Sequence, residues 1–169
     1  QTYGHNEAQF KKLNESAAQE LSKQFQEIRG PLGLYARLYE GRCYQALEMY
    51  PQALGCYKDV TEGQPNIDLT IRKLISGALR YGAECMIAQE KYDSAIQECS
   101  VWLKASSSEE QRQPEWLAVR YQMADAMRRK GEAEPEKSSQ RRKLLAEARD
   151  AYRLVSSSPG EYQSNARSA

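Results

Sequence analysis

Side-chain catalysis needs convergent acids, bases or nucleophiles, and this sequence supplies few of them. His5 is the single histidine, and a place so near the chain start argues against a positioned general base. Cys43, Cys56, Cys85 and Cys99 are the four cysteines. None has C-x-x-C spacing or a histidine close in sequence, which speaks against both a zinc site and an activated thiol. Three disulfide pairings are open to them, but the reading preferred here is free thiols buried between helices, where cysteine serves as a small core residue. Gly30-Pro31-Leu32-Gly33 lacks the lysine and the preceding strand of a phosphate loop. Glu109-Glu110 is read as favourable charge at a helix N-terminus, not as a catalytic carboxylate pair. Arg128-Arg129-Lys130 and Arg141-Arg142-Lys143 have no interleaved aromatics and are read as solvated surface and helix-end charge. The expectation is a protein that is not an enzyme, with no catalytic residue, no metal and no cofactor.

The elements behind these residues follow from composition and periodicity. With 24 basic and 23 acidic side chains and a net charge of +1, the chain has no nucleic-acid footprint. No apolar run approaches the ~18 residues of a membrane span. A hydrophobic content of 40% suits a thin helical stack, as do eleven tyrosines against two phenylalanines, since tyrosine packs its ring and keeps its hydroxyl wet. The length of 169 residues fits one domain. The chain opens at Gln1 and not at methionine, as a processed mature protein or an excised portion would, so any targeting peptide would lie upstream. The sequon Asn14-Glu15-Ser16 falls within a predicted helix and is read as chance.

Apolar residues recur at three- and four-residue steps throughout, and no strand-like alternation of useful length appears. Phe10, Leu13, Ala17, Leu21, Phe25 and Ile28 mark one face of a first helix, stopped by Gly30-Pro31-Leu32-Gly33. Further helices are predicted over 34–48, 51–63, 67–89, 92–104, 107–130 and 140–156. Pro51 would open the third helix at its first turn, and Asn66 or Asp68 would cap the fourth. Ser107 with Glu110 has the spacing of a capping box for the sixth, in which Pro114 is either tolerated near the first turn or shifts the start to that point. Gly63-Gln64-Pro65 ends the third, residues 131–139 form a loop, and 161–169 begin an eighth helix. This makes an all-α array of about seven antiparallel helices: an N-terminal helix (1–30), then hairpins over 34–65, 66–106 and 107–160.

One pattern recurs along the chain: Tyr50-x-x-Ala53-x-x-x-Tyr57, Tyr92-x-x-Ala95-x-x-x-Cys99 and Leu145-x-x-Ala148-x-x-x-Tyr152. Upstream of each, Gly41, Ala83 and Ala124 precede Tyr44, Met86 and Met127 by three. Small residues facing small residues let two helices approach closely within a hairpin. Gly41, Tyr44, Ala53, Tyr57 and Pro65 resemble the signature of the tetratricopeptide repeat (TPR) family. The matching alanines are 42 and 53 residues apart, against a family period of about 34, so the array resembles a divergent, stretched member.

The resemblance implies a short right-handed superhelix that binds a protein or peptide segment on its concave face. By register the groove would be lined by Tyr35, Leu38, Arg42 and Gln45, by Arg80, Glu84 and Ile87, and by Tyr121, Asp125 and Arg128. The Lys/Asn clamp that some TPR domains use for acidic C-terminal tails is not reproduced, since Leu38 and Arg42 occupy those places. The rival reading is a structural module of a longer solenoid, or a self-association interface, with no ligand of its own. The closing stretch, with Tyr152, Val155, Pro159-Gly160 and Ala166, is similar to TPR proteins of the bacterial cell envelope, which favours an exported or periplasmic setting over a cytoplasmic one. Circular dichroism is expected to show a helical spectrum; substantial strand content would reject this fold class.

Overall fold

The computed structural model describes residues 2–28, 30–62 and 68–168, with side chains from residue 6 onward. Among these residues there is no strand. The helices are α1 (Thr2–Glu27), α2 (Pro31–Ala46), α3 (Tyr50–Thr61), α4 (Leu69–Ala88), α5 (Tyr92–Lys104), α6 (Pro114–Ala133), α7 (Ser139–Ser156) and α8 (Gln163–Ser168), with a 3-10 turn at Glu110–Arg112. Helices α1, α2 and α3 pack consecutively, as do α5, α6, α7 and α8. The chain divides into two compact units, residues 1–85 and 86–169.

In the first unit α1 and α2 form a hairpin closed by one glycine pair. Gly30 takes a φ of 76°, and a Cβ on Gly33 would lie 2.1 Å from the Ile28 carbonyl oxygen. The predicted four-residue break therefore shrinks, because Pro31 opens α2 at its first turn, where a missing N–H costs nothing. The apolar face expected of α1 is only partly covered. Ala18 is buried, Leu21 and Phe25 are half-buried, but Phe10 and Leu13 stay 53% and 63% exposed. Length explains this: α2 has 16 residues to the 26 of α1, so α1 is about 15 Å longer than the helix it pairs with.

Helices α2 and α3 meet where Gly41 has no side chain: a Cβ there would lie 2.6 Å from Tyr57 Cε1 and 3.0 Å from Cys56 Cβ. Arg37 fastens the same hairpin, pairing with Glu40 and Asp59 at 2.6 Å each while its guanidinium lies over the Phe25 ring of α1. Burial pulls the Arg37 pKa down, but the hydrogen bonds to Glu40 and Asp59 outweigh it and leave it raised. Asp68 does cap α4, accepting from the Ile71 N–H at 2.9 Å. Gly63-Gln64-Pro65 and Asn66 lie outside the described residues.

In the second unit, Ser107 and Glu110 form the reciprocal capping box, at 2.8 and 3.2 Å. It heads the 3-10 turn and not α6, because Pro114 restarts the helix at its own first turn. Trp116, fully buried, stacks on Trp102 and donates from Nε1 to Ser106 Oγ at 2.6 Å, which ties α5 to α6. Antiparallel pairing of α6 and α7 puts Gly131 against Leu144 and Leu145 at one end and Tyr121 beside Tyr152 near the other. The expected loop at 131–139 is correspondingly shorter, since α6 continues to Ala133. Arg141 Nη1 donates to the carbonyls of Gly131, Glu132 and Glu134 there, satisfying acceptors that the helix end leaves open.

Two turns repeat one conformation at the 42-residue interval of Ala53 and Ala95. After α2, Met49 N–H returns to the Tyr44 carbonyl; after α4, Lys91 N–H returns to that of Met86. Between them Glu48 and Glu90 take φ of 58° and 59°, the left-handed closing position that glycine normally fills. The left-handed region costs a β-carbon-bearing residue about 1–2 kcal/mol, and the greater freedom of an unfolded glycine offsets part of any gain. Glu48→Gly and Glu90→Gly should thus each stabilise the protein by roughly 0.5–1 kcal/mol in urea denaturation.

Candidate functional site

Within the first unit, α2 and α4 lie side by side and parallel. Leu38 lies against Gly77, Arg42 over the Tyr81 ring and Gln45 against Glu84, each pair 39 residues apart. Helix α3 returns antiparallel beside α4, with Tyr57 facing Tyr81 and Gly82. This arrangement brings four of the sequence-derived candidates into one network. Tyr57 Oη donates to Gln45 Oε1 at 2.6 Å, Gln45 Nε2 donates to Glu84 Oε2 at 3.0 Å, and Arg80 Nε pairs with Glu84 Oε1 at 3.6 Å. Above it the Arg42 guanidinium carbon sits 4.6 Å from the Tyr81 ring centroid and 5.7 Å from that of Tyr39, while Arg80 lies 4.8 Å from Tyr81. Both cations are held by aromatic faces, and Arg42 is exposed on α2.

The network runs from core to surface. Burial holds the Tyr57 phenol well above its usual range, so it acts as a hydrogen-bond donor at any ordinary pH and not as an acid. Arg42, Tyr35 and Tyr39 are exposed on α2 at three- and four-residue steps, one continuous stripe. Two of the proposed groove residues require correction: Leu38 is 6% and Ile87 7% exposed, so both belong to the core and offer no surface. Periodicity puts Leu38 on the same helix as Arg42, but the arrival of Gly77 beside it decides that it is covered.

The other three candidates lie together in the second unit. Tyr121 stacks on Tyr162 at 4.5 Å and tilts against Tyr152 at 5.5 Å. Asp125 accepts from Arg128 at 2.7 Å, Arg129 at 2.9 Å and the Tyr152 hydroxyl at 3.4 Å, and Arg128 also donates to both Glu132 oxygens. Burial alone would lower the Arg128 pKa, yet hydrogen bonds to Asp125, Tyr152 and Glu132 raise it. Lys130 pairs with Asp93 of α5. The first basic run is therefore engaged by carboxylates, and Arg141 of the second caps α6, in keeping with their reading as surface and helix-end charge. Arg128 and Glu132 of α6, with Arg149 and Arg153 of α7 and Arg167 of α8, line an open cavity of about 630 Å³.

Sequence reasoning missed Tyr39, Tyr81, Arg149, Arg153 and Arg167. Tyr39 and Tyr81 each adjoin a candidate, but the 42-residue repeat of the turns would place Glu84, not Tyr81, beside Arg42. The helices pack at 39, about one turn short, and no local signal carries that offset. Among the described residues no group of His, Cys, Asp and Glu could hold a metal, and no helix is long and apolar enough to cross a membrane.

All four cysteines are free; Cys43 is half-buried and the others are buried. Burial pushes the Cys56, Cys85 and Cys99 thiols up to about 12, which makes them poor nucleophiles. A disulfide-exchange thiol reagent is expected to titrate Cys43 alone in the native protein and the remaining three only after unfolding. Thiols of the unfolded chain ionise near 9.0, below the folded values. The unfolded state therefore binds fewer protons above that pH, and stability should fall as pH rises from about 9 toward 12. No protein-family model, no curated protein and no solved structure matches this chain.

Proposed function

We propose that the chain is a divergent TPR-like scaffold without catalytic activity, which binds a protein or peptide segment on the face of the first unit where α2 and α4 lie side by side. One observation carries this reading: exposed Arg42 and half-buried Arg80 are held over Tyr39 and Tyr81 on a face whose polar groups are already ordered by the Tyr57–Gln45–Glu84 chain. Arginine and tyrosine dominate the energetics of protein interfaces, and side chains ordered before binding lose little entropy on it. The family resemblance is supported by the close Gly41–Tyr57 contact within the α2–α3 hairpin and by the repeated turns at Glu48 and Glu90.

A second reading, a structural module of a longer solenoid or a self-association interface, is favoured by the exposure of Phe10 and Leu13 on α1, since terminal repeats normally carry polar caps. The closing stretch supports an exported bacterial setting; against it stand four cysteines without a disulfide.

Affinity capture with the immobilised wild type, compared with an Arg42→Glu/Arg80→Glu variant, tests the assignment. A partner should be retained by the wild type and lost by the variant. Equal recovery by both rejects the α2–α4 face, and recovery of nothing but further copies of this chain selects the second reading.

A further inference from the structure

We propose that the cavity among α6, α7 and α8 is a separate binding site for an extended acidic peptide segment. Four arginines line it, Arg128, Arg149, Arg153 and Arg167, against Glu132 in the lining and Asp125 and Asp150 beside it, so cations outnumber carboxylates four to three. Such an excess of one charge in a concave site attracts and concentrates the opposite one.

The four cations differ in how they are held, and the difference suits a ligand. Arg128 is fixed between Asp125 and Glu132 by bonds of 2.7 to 2.9 Å, and its Nε is buried without an acceptor among the described residues. It provides a rigid wall. Arg149 and Arg153 share Asp150 at 3.7 and 3.6 Å, with side chains 64% and 70% exposed. Ion pairs this long and this wet are weak, so a ligand carboxylate can replace Asp150 at little cost. Arg167 has no ion pair among the described residues, which leaves its guanidinium available.

Spacing selects the kind of anion. Arg149 and Arg153 stand one helical turn apart, with Cβ atoms roughly 5–6 Å from one another. Alternate residues of an extended peptide are about 6.6 Å apart on one side of the chain, a near match for acidic side chains at every second position. A compact phosphate would need its donors to converge on a point, whereas these are spread along α7 and across to α6 and α8. Beneath them Leu145, Ala148 and Ala166 form an apolar floor on which the methylenes of glutamate side chains can rest.

This site is independent of the α2–α4 face, so either can fail alone. The test is fluorescence anisotropy of fluorescein-labelled hexaglutamate with the full chain at physiological ionic strength. The wild type and Arg42→Glu/Arg80→Glu are expected to bind alike, while Arg149→Glu/Arg153→Glu should weaken binding by about tenfold or more. Both substituted positions of the latter are exposed, and circular dichroism should show its helix content unchanged. Labelled hexalysine should not bind the wild type. The proposal is overturned if hexaglutamate does not bind the wild type or if Arg149→Glu/Arg153→Glu binds it equally well. Equally fatal would be displacement of the probe by inorganic phosphate at matched charge, which would indicate a small-anion site.

Discussion

The absence of a side chain at Gly41 sets the geometry of the first unit. Tyr57 occupies the space that a β-carbon would need, at 2.6 Å, so α2 and α3 come closer than any other residue at that position would permit. From there the Tyr57 ring stacks on Tyr81, and its hydroxyl reaches Gln45, which in turn holds Glu84 and through it Arg80. A part-buried polar chain of this kind is favourable only when its buried members are satisfied. Loss of the close approach would therefore strand a buried phenol as well as open a void. Arg42 and Arg80 owe their fixed positions to a contact in the core.

The second unit achieves comparable closeness by other means. Its α6–α7 contact uses Ala124 and Ala148, both buried, where α2–α3 uses a glycine. Aromatic bulk gathers at the ends instead: Trp102 and Trp116 where α5 meets α6, and Tyr121, Tyr152 and Tyr162 where α7 turns back through α8. The polar atoms of Trp116 and Tyr152 find Ser106 and Asp125, so these rings are buried without leaving a donor unpaired. A cluster of carboxylates and arginines then surrounds Tyr152, and charge excess accumulates on α7 because its outward face carries arginine at one-turn spacing.

Glu48 and Glu90 show how strictly the hairpin geometry is imposed. Both sit in a backbone region that glycine tolerates best, yet the same hydrogen bonds form at both turns. Packing on either side of each turn outweighs the local strain. The reversal takes three residues at each turn, and the glutamate side chain remains exposed to water, where its charge costs little.

Much of the architecture was legible in the residues alone. Helix positions followed from apolar steps of three and four, and their ends from Gly30, Pro31, Pro51, Ser107 and Pro114, because proline and capping side chains act on neighbours within a turn. The burial of Ala53, Ala95 and Ala148, and of three of the four cysteines, followed from small residues at the centre of apolar faces. Boundary errors arose where two local signals competed, as at Pro31 and at Ser107 against Pro114.

The site was legible only in pieces. Arg42, Gln45, Arg80 and Glu84 could be named because they share faces with residues of the repeat, whereas Leu38 and Ile87 satisfied the same rule and are buried. The sequence by itself determined which helices form and which faces are apolar, since both depend on interactions within a few residues. Only the tertiary structure decided the 39-residue offset between α2 and α4, and with it that Arg42 meets Tyr81 and that Gly77 covers Leu38. How far one helix slides along another is settled by side chains interlocking across the whole contact, and no stretch of either helix contains that information alone.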